Sequence, residues 1–150
     1  MQLQDGYEFP PEFRQEGMRI WNREFPLLMA FDGPDEFDRY LANQVDPYFV
    51  FAHIDGHLVA WSMSYLRGGE RWFVLVVGAD FKSQGYGKVL MERMLTRDTP
   101  LNGWVIMDDD HLKSNGEYYL SPIPWYRRIG FLLTDEIDDL GGFRAQRVTG

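Results

Sequence analysis

Lys82-Ser83-Gln84-Gly85-Tyr86-Gly87-Lys88 is the stretch whose reading decides the fold. It follows the apolar run Trp72-Phe73-Val74-Leu75-Val76-Val77 and opens the helix-like segment Val89-Leu90-Met91-Glu92-Arg93-Met94-Leu95. A strand, a glycine turn and a helix N-terminus make an anion site, because unpaired N–H groups and the positive end of the helix dipole converge there. Glycine lets backbone approach a phosphate closely, since no Cβ intervenes. Lys82 and Lys88 flank the turn and supply local positive charge.

Two common owners of such a turn are excluded by inspection. A Walker loop needs Ser or Thr after its lysine, and Val89 follows Lys88. A dinucleotide fingerprint needs a third glycine and a parallel strand–helix–strand unit. Gly85-x-Gly87 lacks the third glycine, and an antiparallel hairpin precedes it. On its own the pair of glycines also fits a tight strand-to-helix turn with no ligand.

Upstream, Tyr48 to Ile54 reads as a strand, and Asp55-Gly56 as a hairpin turn, because both residue types tolerate φ > 0. His57 to Leu66 is the partner strand, Gly68-Gly69 the next turn, and Arg71 to Val77 a third strand. His53 and His57 flank the hairpin as exposed strand-end residues. Before the hairpin, Pro10-Pro11 opens a helix with Phe13, Gly17, Ile20 and Trp21 on one face, ended by Pro26. A second short helix spans Asp35 to Asn43.

Downstream, the helix ends near Arg97. Trp104 to Met107 is a short buried strand, parallel to the Trp72–Val77 strand because a helical crossover separates them. Asp108 to Leu120 reads as polar and irregular. Ser121-Pro122-Ile123-Pro124-Trp125-Tyr126-Arg127-Arg128-Ile129-Gly130 is a compact helix, with Ser121 as N-cap and Gly130 just past the end. Phe131 to Leu133 and Phe143 to Val148 are the last strands. The expected fold class is mixed α/β: a mostly antiparallel sheet of about six to seven strands and about four helices, in one domain over residues 1–150.

Composition narrows the partners. The net charge is −8, which argues against nucleic acid and anionic membranes. There is no cysteine, so disulfides, thiolate metal sites and a cysteine nucleophile are excluded. No apolar run is long enough to span a bilayer, and Met1 to Tyr7 is not a signal peptide; a cytoplasmic protein is expected. Aromatic residues make up 16%, enough to line a pocket as well as a core.

The run from Leu75 to Leu90 resembles the coenzyme-A-binding signature of the GNAT acyltransferases: a strand, a short acidic-aromatic turn, then R/Q-x-x-G-x-G/A opening a helix. Lys82 stands at the R/Q position, a departure from the pattern, and Gly85 and Gly87 at the two small positions. Trp125-Tyr126-Arg127-Arg128-Ile129-Gly130-Phe131 is similar to the same family's [FWY]-Y-x-x-x-G-F block. Together the two blocks, in the right order, carry the resemblance over about residues 48–148. Residues 1–45 match only as two helices on the variable substrate side. The family's usual first strand would lie within Gln2 to Phe9 or be missing.

The resemblance implies an N-acetyltransferase in which a substrate amine attacks acetyl-CoA directly. Backbone groups of Val77, Gly78 and Ala79 would run beside the pantetheine arm. Lys82 and Ser83 belong to the same turn, and the N–H groups of Gln84, Gly85, Tyr86, Gly87 and Lys88 would hold the pyrophosphate. Tyr126 would protonate the leaving thiolate, since a phenol matches a thiol in basicity well enough to donate. The same tyrosine also fits a purely packing role beneath the sheet.

The base for the amine is not evident. Asp108, Asp110 and His111 follow the parallel strand and are candidates on the acceptor side, with a solvated loop as the plain alternative. They are also potential metal ligands, although the family needs no metal. Trp21, Arg23, Glu24, Met29 and Phe31 fit either an acceptor cleft or core packing. The acceptor would be an amine-bearing small molecule or protein, and domains of this kind pair into homodimers through sheet edges or helices. The lysine at the R/Q position, two prolines before Tyr126 and the missing base leave open a coenzyme-binding or regulatory module without catalysis. A toxin-type modifier of a macromolecule is the third reading, with acidity against tRNA as its substrate.

Overall fold

The computed structural model describes residues 1–150. In chain order the elements are β1 (Gln2–Gly6), α1 (Pro11–Glu24), α2 (Pro34–Ala42), β2 (Val45–Ile54), β3 (His57–Arg67), β4 (Glu70–Val77), α3 (Tyr86–Arg97), β5 (Leu101–Ile106), β6 (His111–Leu112), β7 (Tyr118–Tyr119), α4 (Ile123–Arg128), β8 (Leu132–Asp139) and β9 (Arg144–Thr149). Seven strands form one sheet in the order β1-β2-β3-β4-β5-β9-β8, and β6 pairs with β7 as a separate small hairpin. Every pairing is antiparallel except β4 with β5. The expected sheet size, helix number and single parallel pair are all present.

The two faces of the sheet carry separate cores. Side-chain alternation along β4 sends Phe73, Leu75 and Val77 to one side and Val74 and Val76 to the other. The first side packs against α3 and α4 through a cluster of 14 buried residues that includes Leu90, Met91, Met94 and Tyr126. The second packs against α1 and α2 through 11 buried residues centred on aromatic rings.

Trp61, fully buried, organises that aromatic side. Its ring lies 5.2 Å from Phe9, 5.9 Å from Trp21 and 6.0 Å from Phe37, and its Nε1 donates to the Gly17 carbonyl at 3.1 Å. Phe13, Gly17, Trp21 and Glu24 form the buried stripe of α1, at helical spacing. Gly17 is required there: a Cβ would stand 2.4 Å from the Phe9 ring. Ile20, expected on this stripe, is only partly covered.

The Asp55-Gly56 turn takes positive φ at both residues, 50° and 80°, as expected of a two-residue hairpin. The first strand, left open by the sequence, is present as β1 on the outer edge of β2, in the register Gln2↔His53 to Gly6↔Phe49. Asp5 on that strand accepts from the Tyr48 hydroxyl at 2.6 Å. His57 is exposed as expected, but His53 packs its ring 5.4 Å from Phe13.

Two further local readings are corrected. Asp108 to Leu120 is not irregular throughout, because His111–Leu112 and Tyr118–Tyr119 pair as a hairpin. The turn between them is closed by Lys113 N–H donating to Glu117 O and Gly116 N–H to Lys113 O. Ser121 is not the N-cap of α4. Pro122 takes that position, while the Ser121 hydroxyl donates to the Ile106 carbonyl at 2.6 Å and so ties the helix approach to the end of β5.

Candidate active site at the seam between the fourth and fifth strands

The parallel pair is incomplete. β4 and β5 are in register only at Arg71↔Leu101 and Trp72↔Asn102. Beyond Trp72 the ladder stops, and the remainder of β4 up to Val77 has no pairing on that side. The closed end is clasped by side chains. Asn102 donates to the Arg71 carbonyl at 3.0 Å, and Arg147 from β9 donates to Asn102 Oδ1 while binding Glu70 and Glu136. Past the clasp, the Phe73 ring fills the place where a Cβ on Gly103 would come within 2.6 Å of it. A strand pair that parts in mid-sheet leaves backbone donors and acceptors able to pair with an extended ligand.

The glycine turn lies at the open end of the seam. Gly78 N–H donates to Val59 O at 2.8 Å, a short 3-10 turn spans Ala79–Phe81, and α3 begins at Tyr86. Ser83 and Gly85 take left-handed backbone, φ 63° and 87°. Gly85 is the cap residue of α3, and no side chain caps the helix. The N–H groups of Gln84, Gly85, Tyr86, Gly87 and Lys88 are not among the turn, loop and cap hydrogen bonds of the chain. Gly87 has a separate reason to be small. A Cβ there would sit 3.1 Å from the Trp125 ring and 3.6 Å from Val77, so α4 closes directly over the first turn of α3.

The flanking lysines are differently placed. Lys88 reaches its own-helix neighbour Glu92 at 3.9 Å and is exposed. Lys82 lies 3.1 Å from Glu24 Oε1, at the last turn of α1. Glu24 is buried, and its Oε2 accepts from the Ala79 N–H at 2.9 Å. The Ala79 amide is therefore bonded within the chain, whereas Val77 faces the seam. On the α1 side of the turn, Arg19, Ile20, Arg23, Gly78, Ala79 and Phe81 line a cavity of about 110 Å³. Tyr86 packs edge-on against Phe81, 6.0 Å between ring centres.

Tyr126 projects from α4 into the core beside the seam. It is buried, with ring centres 5.6 Å from Phe73, 5.6 Å from Phe131 and 4.9 Å from Trp125. Burial pushes its phenol far above the usual tyrosine range, and the nearby Tyr119 phenol adds to the effect. Its hydroxyl makes no hydrogen bond within the chain. Tyr119, on β7, is itself raised by burial, and its ring lies 6.2 Å from Phe25. The hairpin carries Tyr119 into the surroundings of Tyr126, a neighbour that sequence reading missed because two-residue strands leave almost no periodic signal.

Asp108, Asp110 and His111 do converge, with ligand atoms within 4.8 Å of one another. Asp108 already holds a cation: Arg144 Nη2 donates to it at 3.0 Å, and that hydrogen bond pulls the Asp108 carboxyl below the usual range. His111 stacks edge-on against Phe143 at 4.8 Å and approaches Asp110 at 3.6 Å. The intervening Asp109 accepts from the Ser121 N–H at 2.6 Å, so it braces the α4 approach. Arg127 and Arg128 are exposed. Trp21, Phe31 and Phe37 are core, with Trp21 donating to Met29 O at 2.9 Å.

No helix is long and apolar enough to cross a membrane. No protein of curated function matches the chain by sequence. Among solved structures, an aminoglycoside 6′-N-acetyltransferase complexed with coenzyme A superposes with a TM-score of 0.76 at 10% identity, covering 100% of this chain and 96% of that one. An aminoglycoside 6′-acetyltransferase type Ii gives 0.75 at 12% identity, with 100% and 96% covered. An acyl-CoA N-acyltransferase from Pseudomonas aeruginosa gives 0.63 at 16%, with 99% and 97% covered. Residues 14–131 match the acetyltransferase (GNAT) family, a span that holds the glycine turn, the seam and the Tyr126 block. The chain belongs to the acetyltransferase (GNAT) family.

Proposed function

We propose that the protein is an acetyl-CoA-dependent N-acetyltransferase acting on a cationic amine. The observation that carries the reading is the meeting of three features at one seam: unpaired β4 backbone at Val77, the uncapped turn from Gln84 to Lys88, and the buried phenol of Tyr126. The turn's amides would hold a pyrophosphate, with Lys82 beside them. The pantetheine arm would pair with β4 at Val77. The Ala79 N–H is already given to Glu24, so the arm would draw on Gly78 and Ala79 only through their remaining backbone groups.

The chemistry is an acyl transfer without a covalent enzyme intermediate. The amine nitrogen bonds to the acetyl carbon, the carbon–sulfur bond breaks, and the sulfur takes a proton from Tyr126. The amine's surplus proton leaves to solvent, and the Tyr126 phenolate takes a proton back from solvent, which restores the phenol. A phenol raised by burial stays protonated throughout the neutral range, as a donor must, but it is a weaker acid than a free tyrosine, so donation to the sulfur depends on the charge that builds there as the carbon–sulfur bond breaks. The net charge of −8 favours a cationic acceptor, small or macromolecular, over a nucleic acid. We take the enzyme to work as one domain over residues 1–150, in the cytoplasm, with no metal in the reaction.

Melting curves with and without coenzyme A test the first half, and a shift in Tm is expected. Release of free thiol from acetyl-CoA across polyamines, aminoglycosides and amine-bearing peptides tests the second. Absence of any shift would sink the whole reading. A shift without thiol release from any amine would favour the second reading, a coenzyme-binding module. The specific observation behind that alternative is the burial of Tyr126, which raises its phenol far above the range suited to protonating a thiolate.

A further inference from the structure

Glu24 is a buried acid that the reaction above does not use. Its side chain is 5% exposed, and taking a carboxylate out of water costs several kcal/mol unless it is paired. Three partners reach it. Oε2 holds the Ala79 N–H at 2.9 Å, while Oε1 faces Lys82 Nζ at 3.1 Å and Lys113 Nζ at 3.9 Å. The partners come from two separate segments: Ala79 and Lys82 from the glycine turn, Lys113 from the β6–β7 hairpin.

The two lysines are not equivalent. Lys113 is 11% exposed and closed in; Lys82 is 50% exposed and open to solvent. Although Lys82 is close, Oε1 has no hydrogen bond, so the ion pair is off the bonding direction. A cation held by charge alone, at an open position, is the one that can leave. Its departure is cheap only if the carboxylate keeps another counter-charge, and Lys113 provides one.

We propose that Glu24 and Lys113 are positioning residues for the coenzyme: Glu24 holds Lys82 beside the glycine turn, and Lys113 remains as counter-ion when Lys82 turns to a phosphate. The inference rests on the acetyl-CoA reading and deepens it. It also gives lysine at the R/Q position a working partner. Without Lys113, the buried carboxylate would retain Lys82 and deny it to the phosphate. With the charge of Glu24 removed as well, that demand disappears.

Coenzyme A titrated calorimetrically into wild type, Lys113→Ala, Glu24→Gln and the double variant is the test. Lys113→Ala should raise the Kd about tenfold, equivalent to ~1.4 kcal/mol. Adding Glu24→Gln should restore the Kd to within about threefold of wild type, a coupling between neighbouring charges. A merely structural role predicts the opposite, that the two losses add. An unchanged Kd in Lys113→Ala, or a double variant no better than the single, overturns the inference while leaving the functional reading intact. A wild type that takes no coenzyme A refutes the functional reading, and the inference falls with it. Melting curves check folding, and Lys113→Met, which keeps the apolar stem, replaces the alanine variant if that one unfolds.

Discussion

Changing Tyr126 to Phe removes one oxygen and leaves the ring contacts with Phe73, Trp125 and Phe131 in place. The hydroxyl has no hydrogen-bond partner within the chain, so its loss strands no donor or acceptor, and stability should change by less than about 1 kcal/mol. The rate should behave otherwise. A positioned proton donor contributes roughly 10²–10⁴-fold, or about 2.7–5.5 kcal/mol of barrier. Coenzyme A should bind the variant with unchanged affinity, because the amides of the turn do the holding. Thiol release in a saturating-substrate assay, calorimetric Kd and Tm measured on one preparation separate the three quantities. A rate within twofold of wild type would refute the donor role. A Tm drop of many degrees would refute the account of an unpartnered hydroxyl.

Other expectations follow from packing and titration. Gly103→Ala would push a Cβ to within 2.6 Å of the Phe73 ring, and the overpacking should cost about 1–3 kcal/mol, read as a lower urea midpoint. Gly17→Ala meets the Phe9 ring at 2.4 Å and should lose a comparable amount, with a smaller residue at position 9 expected to restore part of it. Arg147→Lys keeps the charge but cannot bind Glu70, Glu136 and Asn102 together, and because both carboxylates are half exposed a loss of about 1 kcal/mol is expected in chemical denaturation. Burial, then the Asp5 carboxylate, push the Tyr48 phenol up to about 12, and Tyr40, Tyr65, Tyr119 and Tyr126 are also raised. The folded pKa exceeds the unfolded value of about 10. The stability is therefore whole below pH ~10 and falls as pH rises towards 12, because the unfolded chain then binds fewer protons. Urea titrations at rising alkaline pH with a flat midpoint would contradict this.

What the sequence made legible follows from signal length. The Asp55-Gly56 hairpin, the glycine turn and α3 were readable because turn chemistry and helix period reinforce each other over many residues. Gly103 and Gly17 carried no such signal, since their smallness answers to rings far along the chain, Phe73 and Phe9. β6 and β7 are two residues each, too short to show a period, so the hairpin leaves no trace in the sequence pattern. Ser121 looked like a cap by residue type, yet its hydroxyl is drawn to the Ile106 carbonyl 15 residues earlier. In the site, the turn could be read locally, but the pairing of Glu24 with Ala79, Lys82 and Lys113 joins segments at least 55 residues apart.

The seam between β4 and β5 has a consequence for the life of the protein in a cell. Only two residue pairs of the backbone ladder join β4 to β5, with the Arg147 clasp and the stacked Trp72 and Trp104 rings beside them, so a bound coenzyme would complete the open part of the seam. By mass action, a coenzyme present at about 100 times its Kd would add ~2.7 kcal/mol to the folded state. The fraction of time the chain spends open to proteases would then track the supply of that coenzyme, acetylated or free. Pulse proteolysis with and without coenzyme A measures the effect, and equal cleavage in both would dismiss it.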